Sequence, residues 1–170
     1  MNTLITLFTL FTLLGFTVVL QKPASQLEKT IQKNGMSVTW YHLEDRIFFE
    51  LEAPTSGWLT IGFNETNELT GAYLIMTRVY STLPDVVEHH VISPGNYKPI
   101  EKLNINQIAD VEGEEIFNLS RIRFSLKADT QSNFRKSLIK GTYINMIMAY
   151  SRSDDFQHHS VMRTTVRVLL

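Results

Sequence analysis

Between Arg46 and Ala53 the chain reads RIFFELEA, with Ile47, Phe49 and Leu51 at every second position and Glu50 and Glu52 between them. Side chains of an extended strand point alternately to its two faces, so a period of two marks a strand with one face buried and the other in water. Asn118 to Lys127 repeats the pattern: Ile122, Phe124 and Leu126 fall on one side, Arg121, Arg123 and Lys127 on the other. A helix would scatter each of these sets around its circumference. Chains written this way bury their apolar faces by laying one sheet on another. Only Phe48 breaks the first alternation.

The rest of the chain extends the pattern. Met36 to His42 reads as a strand, followed by a turn at Leu43-Glu44-Asp45. Pro54 and Gly57 bracket the next turn, and Gly57 to Asn64 places Leu59, Ile61 and Phe63 inward. Ala72 to Tyr80 is apolar on both faces, with Tyr73, Ile75 and Val79 alternating with Leu74, Met76 and Tyr80, which implies a strand covered on both sides. Asp85 to Ile92 ends at the turn signal Ser93-Pro94-Gly95-Asn96. Residues 97–116 carry no clear period. Asp129 to Leu138 reads as one short helix, with Phe134 and Leu138 spaced i, i+4 and Gly141 as its stop. Thr142 to Tyr150 and Val161 to Leu169 are the closing strands. The expected fold is all-β: an antiparallel, immunoglobulin-like β-sandwich of about 8 to 11 strands with one short helix. No long helices alternate with the strands, which argues against a parallel α/β sheet.

Length and charge bound the function. The 170 residues suffice for one domain with a sizeable core. Sixteen Lys and Arg against 17 Asp and Glu give a net charge of −1, so no nucleic-acid partner is expected. Absence of Cys excludes disulfides, thiolate metal sites and a cysteine nucleophile. Met1 to Leu20 is apolar and uncharged, and reads as a signal peptide or an uncleaved N-terminal anchor. Residues 21–35 read as a linker or short turn element, and 36–170 as the domain. The domain is expected outside the cytoplasmic membrane, secreted or in the cell envelope. None of the nucleophile-elbow, phosphate-loop or zinc-protease motifs occurs, so a binding module is expected rather than an enzyme.

Five histidines carry the candidate chemistry: His42 and the doublets His89-His90 and His158-His159. Within a strand, doublet partners face opposite ways, so at most one of each pair reaches a shared pocket. His158-His159 follows the polar run Ser151 to Asp155 and precedes the last strand, where ligands gather. These two are the candidate metal ligands, and a copper site drawing on both doublets is a further option. Met146 and Met148 read as core fillers. Trp58 and Tyr73 are candidate pocket residues, with Tyr97, Tyr143 and Tyr150 as further aromatic surface. Asn64-Glu65-Thr66 and Asn118-Leu119-Ser120 are formal glycosylation acceptors.

The segment from Gly57 to Tyr80 adds a resemblance. Gly57, Trp58, Gly62 and Phe63 match G-W-x-x-x-G-F, and Gly71 and Ala72 match the end of M-x-G-A, with Leu69 where the pattern has Met. This resembles the DOMON domains, named for the N-terminal domain of dopamine β-monooxygenase. The resemblance implies a β-sandwich that binds haem b or carbohydrate. In haem-binding members one axial ligand is a His just before the last strand, which here is His158 or His159. The other is the Met that Leu69 replaces, and leucine has no lone pair for iron. Met76, His89 or His90 are the alternatives for a second ligand, and a five-coordinate iron is another. A haem reading implies electron transfer in the cell envelope with a membrane redox partner, and a pocket between the sheet ends. A sugar reading rests on Trp58 and the tyrosines. A structural interaction domain without cofactor is the third alternative.

Overall fold

The computed structural model describes residues 27–100, 107–130 and 132–170. They form eleven strands: β1 (Lys29–Lys33), β2 (Met36–Leu43), β3 (Arg46–Ala53), β4 (Leu59–Asn64), β5 (Tyr73–Tyr80), β6 (Leu83–Ser93), β7 (Asn96–Pro99), β8 (Ile108–Ile116), β9 (Leu119–Lys127), β10 (Tyr143–Tyr150) and β11 (Met162–Leu169). Two antiparallel sheets result, one ordered β1-β2-β3-β9-β8 and the other β11-β10-β4-β5-β6-β7. This is the expected all-β sandwich.

The two most regular alternations turn out to be neighbours. Ile47, Phe49 and Leu51 of β3 pair with Leu126, Phe124 and Ile122 of β9, so their apolar faces coincide and all six side chains are buried. On the opposite face Glu50 meets Arg123 at 2.5 Å and Glu52 meets Arg121 at 2.6 Å. Exposed pairs of this kind add little stability, but a one-residue slip would set these charges against the core. Phe48, the exception, stacks outside on its cross-strand partner Tyr41, with ring centroids 4.9 Å apart and planes 2° from parallel. The core between the sheets centres on Phe49, Phe63, Phe124 and Tyr73, whose rings touch in sequence. Met146 and Met148 lie fully buried in it, as gap-fillers.

Three expectations need correction. Residues 29–33, within the expected linker, are β1, paired with β2 and tied to the last strand by Lys29 Nζ donating to Leu169 O at 2.7 Å. The irregular 97–116 stretch contains β7 and β8; β8 is an edge strand with a bulge between Ala109 and Glu112, which erases its period. The short helix is absent: the described residues between Asp129 and Leu138 form an irregular strap. Phe134 is 50% exposed while Leu138 is 1% exposed, so the two do not share a face. Leu138 N donates to Ala128 O at 2.7 Å, His42 Nε2 bonds Leu138 O at 2.7 Å, and Arg135 pairs with Glu88 of β6. These long-range partners outweigh a weak helical propensity. Among the described residues no helix is long and apolar enough to cross a membrane. Met1 to Leu20, expected as signal or anchor, lie outside the described residues.

Candidate functional site

The apolar outer face of β5 has its cover. On the outside of the six-stranded sheet Trp58, Ala72, Leu74, Met76, Val91, Ile147 and Ala149 form a second buried cluster, against which Leu69, Tyr97 and Phe156 pack. Two cross-strand rows build its floor. One runs Arg163, Ala149, Thr60, Met76 across β11, β10, β4 and β5. The next runs Thr165, Ile147, Gly62, Leu74, His89. Leu74 packs into the space over Gly62, where a Cβ would stand 2.3 Å from Leu74 Cδ2.

The loop between β10 and β11 folds over this floor as a cover. Trp58 N donates to Ser153 O at 3.1 Å, and Ser151 N donates to Trp58 O at 2.9 Å. The chains lie so close that a Cβ on Gly57 would fall 2.4 Å from Ser153 N and 2.5 Å from Ser151 O. Arg78 latches the middle of the loop. It donates to Asp154 O at 2.8 Å, pairs with Asp85 at 2.9 Å, and lies 4.4 Å from the centre of the Phe156 ring. The Tyr97 hydroxyl donates to Phe156 O.

Between floor and cover is a cavity of about 150 Å³. Thr60, Leu74, Met76, Val91, Ile147 and Ala149 make its floor, Trp58, Leu69 and Tyr97 its walls, and Gln157, His158, His159, Ser160 and Arg163 its rim. Trp58 and Thr60 are 5% and 3% exposed, yet Trp58 Nε1 and Thr60 Oγ1 have no hydrogen-bond partner among the described residues. A wider groove of about 580 Å³ crosses the other sheet beside Tyr41 and Phe48. None of the unpartnered buried polar atoms lies along it.

Of the residues singled out in the sequence, the fold brings His158, His159, Leu69, Met76 and Trp58 to one cavity. It lies on the outer face of one sheet, not between the sheet ends as the resemblance implied. His89 shares that face but is sealed beneath the cover, with its ring edge-on to Tyr97 and Phe156 at 5.5 and 5.9 Å and its Nδ1 3.2 Å from Val87 O. Burial holds its pKa below the ordinary imidazole value. His90 points to the opposite face, against Phe134 at 4.9 Å. Neither member of this doublet lines the cavity. Tyr73 also faces away: it is buried between the sheets, donates to the Glu88 carboxylate, and has its pKa raised well above 10.0, first by burial and then by the Glu88 charge. Among the described residues no group of three or more His, Asp or Glu side chains is placed to hold a metal, and the two histidine doublets do not share the cavity. Thr60, Arg163 and the Arg78 latch were not anticipated, and no local sequence pattern marks them.

No family model matches the chain. Among solved structures it is similar to the cytochrome b domain of pyranose dehydrogenase from Coprinopsis cinerea, with a TM-score of 0.64 and 9% identity over 84% of this chain and 80% of that one. It is also similar to the cytochrome domain of Myriococcum thermophilum cellobiose dehydrogenase, with a TM-score of 0.56 and 10% identity over 86% of this chain and 89% of that one. At such identity the likeness is one of fold: this chain has the β-sandwich of these cytochrome domains.

Proposed function

We propose that the chain is a DOMON-type binding module, exported to the cell envelope, whose outer-face cavity holds haem b for electron transfer. The observation that carries this reading is the meeting of His158 and His159 with Leu69, Met76 and Trp58 around one apolar cavity. The donor set fits in part. The rim supplies an imidazole, the floor is apolar and holds the Met76 thioether, and Leu69 contributes no ligand. The enclosed 150 Å³ is below the roughly 300 Å³ at which ordinary ligand pockets begin. This cavity would therefore hold only part of a haem, from Met76, Trp58 and the histidine rim. When bound, haem supplies one-electron chemistry. The chain's own residues exclude water on the floor side, present the histidine from the cover, and leave an open edge for a redox partner in the membrane.

The test is the visible spectrum of protein expressed with ample haem. A stoichiometric Soret band, lost in His158→Ala or His159→Ala, supports the reading. No band in the wild type after reconstitution overturns it. The small volume and the two unpartnered polar atoms favour a second reading, a compact polar ligand such as a sugar, which glycan binding lost in Trp58→Ala would support.

A further inference from the structure

The polar end of the cavity holds two buried groups that find no partner among the described residues. Trp58 and Thr60 project from the same side of the chain, two residues apart, and both are more than nine-tenths buried. Trp58 and Thr60 line the cavity, and Trp58 Nε1 and Thr60 Oγ1 are buried with no partner among the described residues. Buried polar groups are rarely left so, and an indole N–H only donates, so the missing partner is an acceptor. Arg163 completes the arrangement. It stands two strands from Thr60 in the same cross-strand row, roughly 10 Å away at the backbone. The small Ala149, itself buried and lining the cavity, stands between them in that row. Arg163 lines the cavity and is exposed, and it makes no ion pair or hydrogen bond among the described residues.

We propose that the floor above Ala149 is a seat for a carboxylate of the ligand, held by Trp58 Nε1–H, the Thr60 hydroxyl and the Arg163 guanidinium. The ligand class is an amphiphilic carboxylate, its apolar body on Leu74, Met76 and Ile147 and its charge at this end. Arginine suits the role because its donors match the two oxygens of a carboxylate. The inference rests on the cavity being a ligand site, and does not require that the ligand be haem.

The test compares two near-isosteric probes, 1-naphthoate and the neutral 1-naphthamide, by calorimetry with the full chain. The expected result is naphthoate binding about tenfold tighter, the scale of a charge-assisted contact. Arg163→Met and the isosteric Thr60→Val should each bring the ratio toward one, with far-UV dichroism confirming that both variants fold. Equal affinities, a preference that survives in both variants, or no binding of either probe overturns the proposal. Haemin and haemin dimethyl ester, titrated in parallel, separate the two ideas. A naphthoate preference without haemin binding removes the haem reading alone; haemin binding without a naphthoate preference removes the carboxylate seat alone.

Discussion

The Arg135 guanidinium lies 2.7 and 2.9 Å from the two carboxylate oxygens of Glu88, in the interior of the sandwich, with the Tyr73 hydroxyl on the same carboxylate. Both charged side chains are almost wholly buried. This pair fastens the strap after β9 to the inner face of β6. Removing one partner strands a buried charge, so Arg135→Ala is expected to cost about 3–5 kcal/mol. Replacing both groups together, as Glu88→Leu with Arg135→Met, should recover most of that loss, because desolvating the pair offsets much of its attraction. Chemical denaturation of the two variants checks this; equal losses in the single and double variants would contradict it.

Two glycines on β4 and its approach separate backbone from side-chain crowding. At Gly57 a Cβ meets the backbone of Ser151, Arg152 and Ser153, which cannot move without lifting the cover. At Gly62 it meets first the end of a flexible Leu74 side chain. Gly57→Ala is therefore expected to cost about 2–4 kcal/mol, combining overpacking with two lost hydrogen bonds. Gly62→Ala should cost about 1–2 kcal/mol. Thermal unfolding gives the ranking, and proteolysis within residues 151–160 should accelerate only in the Gly57 variant.

These details show what the sequence carried and what it did not. Half-buried strands announce themselves because burial on one face imposes a period of two; β3 was legible to the residue and β9 to within one. The strap was misread because Phe134 and Leu138 mimic a helical pair, while its real partners, Glu88 and His42, lie far away along the chain. The polar run before the last strand marks the loop–strand junction that carries His158 and His159 to the cavity. The places of Tyr73 and His90 were not legible, since which face of a strand meets the other sheet is settled only by packing. Thr60 and Arg163 are brought together by register through β10, which no local pattern encodes.

His89 gives the cover a pH dependence of definite sign. Burial lowers its pKa from 6.5, with the Val87 carbonyl and the Asp85 charge opposing in part. As pH falls below about 6.5 the unfolded chain takes up a proton before the folded one does, so stability falls until the folded pKa is passed. Asp154 and Glu115 act the other way. Burial raises both carboxyl pKa values, and Asp154 raises Glu115 further, so protonating them on acidification relieves a cost. A His89→Phe variant isolates the imidazole. The melting temperature of the wild type minus that of the variant should become more negative from pH 7.5 to pH 5; a constant difference would contradict this.

Leu69 packs on the wall of the cavity whose rim carries His158 and His159. The wall position is apolar and partly buried, and methionine fills nearly the same volume as leucine with a more flexible chain. Leu69→Met should therefore leave stability within about 1 kcal/mol of the wild type. In haem-loaded protein it places a thioether where the wild type has a methyl group. The expected outcome is a change from a five-coordinate, high-spin spectrum to a six-coordinate, low-spin one, with tighter haem retention. Should the wild type already be low-spin, Met76 or a second histidine is the sixth ligand, and Met76→Leu compared with His158→Ala and His159→Ala identifies which. An unchanged high-spin spectrum in Leu69→Met would mean that the bound macrocycle does not lie between this wall and the histidine rim.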